Sequence, residues 1–391
     1  MCVRTHFFLQ LIFISLDLKK INEKTVDRTK KVTIQDVARY ANVSAGTIDR
    51  VIHNRGRVSP EKRRKVEEAI KKLNFNPNML ARTLALGNQF TVCVLIPSAP
   101  SPGHYWTMPL HGLEMAATQF KDYGVIAEYF FYDLFDENSF INRTSGILAS
   151  EPDGVVLAPL FLEESKSFTE KLKRKGIPYI FIDADIPDGQ SFSYIGPDVK
   201  QSACIAGRLL NSVLPPKAEI LMLNMVKGFE NASALRRMEE GFSGYFREKG
   251  MGDNKFIHSL TIQSTQKEEV FRELTKFYIK NPAIKGVFVT NSKAFLISEF
   301  HRKHDLDIRL VGYDLVEANI EHLRNGGIDF IISQSPVQQG KRAIQTFFES
   351  FVFKKDPDKV QHVPLDIIIR ENLDFYINFN RHLQNGIKNN Q

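Results

Sequence analysis

The sequence predicts a multidomain chain: a small all-α unit, then a larger α/β unit of two doubly wound parallel-sheet lobes. Three observations lead there. Residues 32–73 hold three short helical patterns with caps, apolar β-rich runs alternate with helical ones from Thr91 onward, and positive charge is confined to the first part. At 391 residues, with 43% apolar and 25% charged, the chain has material for two or three buried cores.

The overall charge of +7 is uneven. Residues 28–90 contain 14 Lys and Arg against 5 Asp and Glu, a net of +9, which leaves −2 for the rest. Basic charge held in one small domain is the footprint of phosphate binding. Cys2, Cys93 and Cys204 are odd in number and widely spaced, so neither a disulfide framework nor a metal site is expected, in keeping with a reducing cytosol. Phe7 to Leu18 is a twelve-residue apolar run broken by Gln10 and Asp17. It is shorter than the roughly 20 residues that cross a bilayer. Arg4 precedes it but no small-x-small cleavage site follows, so residues 1–30 are expected to be an extension and not a functional signal or anchor.

Thr33, with Asp36 three positions on, forms a capping-box variant ahead of Ile34, Val37, Ala38 and Ala41 at helical spacing. Asn42-Val43 predicts a tight turn, and Ser44 caps a second helix ending near His53. On that helix Ile48, Val51 and Ile52 share one side, while Gly46, Asp49, Arg50 and His53 share the other. Ser59-Pro60-Glu61 supplies a cap, a proline at the first helical position and an early acid. This third helix should run to about Leu73, burying Val66, Ala69, Ile70 and Leu73, before Asn74 and Pro77. Two helices joined by a short turn, the second exposing a polar face, read as a helix-turn-helix; a basic bundle that binds protein is the other reading at this level.

The run VTIQDVARYANVS-x-x-T-I-x-R-V, continued by V-S-P-E-x-R and L-N-F-N-P-N, resembles the DNA-binding domain of the LacI/GalR repressor family over residues 32–86. The resemblance implies a lambda-repressor-like DNA-binding domain over residues 31–76 and a homodimer on a roughly palindromic operator. A recognition helix from about Ala45 to Ile52 would lie in the major groove. Arg50 is the best candidate for a base or phosphate contact, since Arg bonds guanine bidentately. Lys31, Thr47, Arg55 and Arg57 would contact the backbone, and Thr33, Ser44 and His53 complete the candidate set.

The chain departs from the family pattern where the main specificity side chains stand. Ala45 and Gly46 occupy those positions, and Asp49 stands where serine is usual. A methyl contact from Ala45, Asp49 accepting from cytosine, and DNA shape would then contribute more. Residues 77–90, with NMLARTLALGNQF, resemble the family's hinge, which implies a short helix folding on the minor groove of an operator. Asn78, Ala81 and Arg82 would contact DNA there, and Leu84 would wedge into the central base step.

Within 91–391 the runs TVCVLIP, VIAEYFF, GVVLA, YIFID, EILMLN, GVFVT, RLVGYD and DFIISQ are predicted as strands buried on both faces. Their alternation with helices gives doubly wound sheets. The length divides into two lobes, the first about 91–192 and 336–350, the second about 193–333 and 352–385. Functional side chains in such sheets lie beyond the carboxyl ends of strands. That places Asp183 or Asp185 after YIFI, Asn291 after VFVT, Asp314 after LVGY and Gln334 after FIIS, with Arg236 on a helix five residues before Gly241-Phe242. Carboxylates, amides and Arg converging on one cleft suit a polyhydroxylated ligand. This region resembles type I periplasmic binding proteins, especially the ribose-type sugar binders, over most of residues 91–380. The resemblance implies that Asp183, Arg236, Asn291, Asp314 and Gln334 contact ligand, and that His104-Tyr105-Trp106 offer aromatic faces to a sugar ring.

No G-x-S-x-G, H-E-x-x-H, Walker or strand-following G-x-G-x-x-G sequence occurs, so neither enzymatic chemistry nor a cofactor or metal is expected. The expected protein is a cytoplasmic, homodimeric transcription repressor without a membrane partner, whose affinity for double-stranded operator DNA is set by a small-molecule effector, a sugar. Ligand would bias lobe closure and the dimer would relay it to the hinge, a coupling typically worth about 1–3 kcal/mol. Two alternatives stand beside this. A secreted solute-binding protein would use residues 7–18 as its leader but leave the basic domain with nothing to bind. A purine-type, corepressor-responsive regulator would hold a nucleobase, which acidic Asp183 and Asp314 disfavour.

Overall fold

The computed structural model describes residues 33–52, 56, 58–73, 89–101, 103–186, 189–216, 218–226, 232–250 and 256–378. The chain divides between residues 79 and 80 into two compact units.

In the first unit, α1 (Ile34–Ala41), α2 (Ala45–Ile52) and α3 (Pro60–Lys72) follow the expected boundaries. The capping box forms: Thr33 N donates to Asp36 Oδ2 at 2.9 Å and Asp36 N donates to Thr33 Oγ1 at 3.3 Å. Asn42 ends α1 in the left-handed region, φ 52°, and its N–H reaches the Ala38 and Arg39 carbonyls. Val37, Ile48, Val66 and Ala69 are fully buried and, with Ala38, Ala41 and Val51, make one small core.

The second unit contains two six-stranded sheets of matching order. The first runs β11-β5-β4-β3-β1-β2, built from β1 (Phe90–Pro97), β2 (Val125–Tyr132), β3 (Gly154–Leu157), β4 (Tyr179–Ile182), β5 (Ser193–Gly196) and β11 (Val360–His362). The second runs β12-β10-β9-β8-β6-β7, from β6 (Glu219–Met225), β7 (Ile257–Ile262), β8 (Ile284–Val289), β9 (Arg309–Tyr313), β10 (Phe330–Ser333) and β12 (Asp366–Ile368). Every pairing is parallel except β10 with β12. The helices between them are α4 (Thr107–Phe120), α5 (Glu137–Ser150), α6 (Leu162–Lys175), α7 (Val199–Val213), α8 (Ala232–Glu248), α9 (Lys267–Lys280), α10 (Ala294–Lys303), α11 (Glu317–Arg324) and α12 (Pro336–Phe353).

All eight predicted strands form. Four others, β5, β7, β11 and β12, carry too little apolar sequence to stand out: β7 reads IHSLTI, and β11 and β12 have three residues each. VIAEYFF is not buried on both faces, because β2 is an edge strand and several of its residues are exposed.

The lobe limits also shift. Residues 193–196 belong to the first sheet, since β5 pairs with β4 through Ile180–Ser193 and Ile182–Ile195, and β11 pairs with β5. The second lobe therefore begins after Gly196, and the chain returns to the first for α12 and β11 before β12 closes the second sheet. Helix α12 packs on α4 at backbone distance: a Cβ on Gly112 would collide with the Val337 carbonyl, and one on Gly340 with the Pro109 carbonyl. That contact anchors α12, to its end at Phe353, on the first lobe.

Candidate functional site

Strands β4 and β9 hold the same rank in their sheets, and each is followed directly by an aspartate with left-handed backbone: Asp183, φ 68°, and Asp314, φ 60°. A non-glycine residue seldom adopts this conformation, and both aspartates stand at the carboxyl edge of their sheets, where such folds bind ligands. Both line one cleft of about 1540 Å³ between the lobes. Asp183 accepts a hydrogen bond from the Tyr105 hydroxyl. Asp314 accepts from Gln334 twice, from the backbone N and from Nε2, both at 3.0 Å. Burial pushes Asp183 up to about 6, against the pull of the Tyr105 bond. Burial likewise lifts Asp314 to about 7; the Gln334 hydrogen bonds oppose the rise and the nearby Asp183 charge adds to it.

Asp185 also lines the cleft and is bonded by a guanidinium fork, but from Arg237 and not Arg236. On α8, Ala234, Leu235, Arg237 and Met238 turn toward the cleft, a helical i, i+1, i+3, i+4 face that leaves Arg236 outward and exposed. The assignment of Arg236 to the cleft is therefore one residue out of phase. The Asp185–Arg237 pair joins the loop after β4 in the first lobe to a helix of the second.

Asn291 lines the cleft with both side-chain ends engaged: Nδ2 donates to the Met225 carbonyl at 2.7 Å and Oδ1 accepts from Lys293 N at 3.1 Å. Tyr105 and Trp106 meet edge to face, centroids 5.2 Å apart, and both line the cleft although Trp106 is only 3% exposed. His104 lies beside them, held below the usual imidazole range by burial and then by Lys293.

Sequence reasoning missed Arg237, Lys293, Tyr194, Asn224 and Thr290 among the lining residues, and Asn319 behind them. Asn319 is fully buried, and its Nδ2 reaches the carbonyls of Ser292, Tyr313 and Asp314 at 2.9–3.0 Å while Oδ1 accepts from Phe295 N at 2.9 Å. It ties the loops after β8 and β9 together. Nothing in a lone Asn on a helix signals that. A separate hollow of about 580 Å³ between α9 and α10 is lined by none of these residues, and its Lys267 pairs with Glu299.

In the first unit Ala45, Gly46 and Arg50 are exposed and Thr47 and Asp49 half-buried, opposite the buried Ile48 and Val51. Thr33 and Ser44 serve as helix caps; the Ser44 hydroxyl accepts from Thr47 N at 3.3 Å and lies 3.0 Å from its hydroxyl. Arg50 Nε donates to the Gly46 carbonyl at 3.1 Å. A Cβ on Gly46 would meet only Ser44 Oγ, at 4.0 Å, so the fold itself does not call for glycine there. Lys31, His53, Arg55, Arg57, Asn78, Ala81, Arg82 and Leu84 lie outside the described residues.

Residues 33–78 match the family profile described as bacterial regulatory proteins, lacI family, and residues 93–354 match the periplasmic binding protein domain. A candidate LacI transcriptional regulator from Bacteroides fragilis is 31% identical, with a TM-score of 0.69, over 74% of this chain and all of that one. The chain belongs to the LacI family. Among curated relatives, catabolite control protein A of Staphylococcus epidermidis is 36% identical over 173 residues, 44% of this chain and 50% of that protein. The chain thus spans about half the length of the curated relatives it matches. A glucose-galactose binding protein from Geobacillus stearothermophilus, 20% identical with a TM-score of 0.63 over 73% of this chain and 99% of its own, shares the fold of the second unit. Among the described residues no helix is long and apolar enough to cross a membrane.

Proposed function

We propose that this chain is a sequence-specific transcription repressor that acts in the cytoplasm as a homodimer on double-stranded operator DNA. A sugar or related polyol bound between the two lobes sets its operator affinity. The observation that carries this reading is the pairing of Asp183 and Asp314 at equivalent strand ends of the two lobes, facing one cleft. Arg237, Asn291 and Gln334 supply further polar contacts, and Tyr105 with Trp106 supplies an aromatic wall. Carboxylates and amides at fixed geometry read hydroxyl groups, and a ring edge fits an aromatic face.

At about 1540 Å³ the cleft exceeds the roughly 300–1,000 Å³ of a filled small-molecule site. Ligand contacts from both lobes would favour a more closed arrangement, which is the differential binding that shifts a two-state equilibrium. On the DNA side, the exposed edge of α2 offers Arg50 for guanine or phosphate, with Ala45 and Asp49 beside it.

The test combines operator selection with a sugar screen. Random duplex DNA is enriched on the full chain, and the selected sequence is titrated by fluorescence anisotropy with and without each sugar. A palindromic consensus whose affinity changes at least about fivefold with one sugar supports the reading, in line with ordinary allosteric coupling. A selected site that ignores every sugar refutes the sensor half, and failure to enrich any sequence refutes the DNA half.

A further inference from the structure

The cleft is rich in carboxylates. Asp136, Glu137, Glu163, Glu164, Glu317 and Glu321 line its more exposed parts, around Asp183, Asp185 and Asp314 within. Among the described residues only two cations line it, Arg237 and Lys293. Arg237 is committed to Asp185, and burial holds His104 below the usual imidazole range.

Asp183 and Asp314 are the telling pair. Their hydrogen-bond donors are neutral: the Tyr105 hydroxyl for one, the Gln334 amide groups for the other. No described Lys or Arg forms an ion pair with either. A buried carboxylate without a countercharge is costly and takes up a proton or a cation. The Asp183 charge also raises Asp314, and both carboxylates line the same cleft. A ligand that brings its own positive charge to this pair would offset the cost of burying both carboxylates and the Asp183 charge felt by Asp314, whereas an anionic ligand would add to them.

We propose that the effector is a cationic polyol, an amino sugar, whose ammonium group sits against Asp183 and Asp314. This rests on the sugar-responsive reading above and narrows its ligand class. Hydroxyls remain for Asn291, Gln334 and the Tyr105–Trp106 wall, and the acidic rim draws the cation in from solution. The same arrangement rejects sugar phosphates and uronates.

The experiment is isothermal titration of the full chain at pH 7.5 with glucosamine, galactosamine and mannosamine. Each is matched with its neutral parent hexose, its N-acetyl derivative and its 6-phosphate. The expected result is that one amine binds at least about tenfold more tightly than its neutral parent and its N-acetyl form, with the 6-phosphates weakest, as charge complementarity dictates. Asp183→Asn and Asp314→Asn, each checked for folding by its melting curve, should each shrink that preference. A neutral parent or a phosphate that binds as tightly as its amine overturns the amino-sugar inference while leaving the sugar reading intact. An amine preference untouched by both substitutions overturns the assignment to this pair. Binding by no member of the panel overturns the amino-sugar inference, while the sugar reading falls only if the operator screen above finds no responsive sugar.

Discussion

Asp185 of the first lobe and Arg237 of the second grip each other across the cleft through a two-point guanidinium–carboxylate contact. Only the carboxylate loop after β4 and one face of α8 need to approach for the lobes to be tied at this point. Arg suits the role, since its planar fork matches a carboxylate and stays charged at any physiological pH. The pair is partly exposed, so its net contribution is small, about 1 kcal/mol or less.

Arg237→Ala is expected to weaken the response to effector at least about tenfold, because it removes a cleft contact and leaves Asp185 without its fork partner. Arg236→Ala, one position away on the exposed side, should change it less than about twofold. Effector titration of operator release distinguishes them, and equal effects of the two substitutions would contradict the helical phase of α8.

Asp183 and Asp314 make a defined contribution to pH dependence. Both are raised above the ordinary carboxylate range, to about 6 and about 7, so between about pH 4 and pH 7 the folded chain binds more protons than the unfolded one. Their contribution therefore favours folding at low pH and is lost as pH rises through about 7. Tyr105, Tyr194, Gln334 and the Asp185–Arg237 pair surround them. Exposed carboxylates held below their usual range, Glu151 and Glu170 among them, act in the opposite direction. The measurable quantity is the difference between wild type and Asp314→Asn: the variant should gain relative stability, by roughly 1–3 kcal/mol, between pH 5 and pH 8. A constant difference across that range would show that Asp314 is ionised throughout.

Asn319→Ala should destabilise the second unit by about 2–4 kcal/mol, because carbonyls of three residues and the Phe295 amide lose a buried partner at once. Effector affinity should fall as well, since Asp314 follows β9 in one of the loops that Asn319 holds. Chemical denaturation and ligand titration read the two effects separately.

In the first unit, Arg50→Ala is expected to weaken operator binding at least about tenfold, with the melting temperature nearly unchanged for an exposed side chain. Gly46→Ala tests a different point. Space for the methyl exists, and alanine is the better helix former by up to about 1 kcal/mol, so the unit should be as stable or more so. Altered operator affinity in that stable variant would show that glycine serves close approach to DNA. Unchanged affinity would remove Gly46 from the interface.

The sequence by itself determined the helix-turn-helix and most of the strands, because these rest on local rules. The Thr33–Asp36 box, the Ser44 cap, Ser59-Pro60 and the continuous apolar runs each act within a few residues. It also placed Asp183, Asp185, Asn291, Asp314 and Gln334 beyond strand ends, and these residues do line the cleft. What it left open depends on partners distant in the chain. The choice of Arg237 over Arg236 was decided by how α8 packs, a rotation of about 100° that charge and spacing do not reveal. The assignment of residues 193–196 and 360–362 to the first sheet was decided by strand pairing, since short runs such as SYIG and VQH carry little signal of their own. Only the tertiary structure set Asp183 and Asp314 opposite each other with neutral donors at their sides, because burial and repulsion arise from the meeting of two lobes whose aspartates are 131 positions apart.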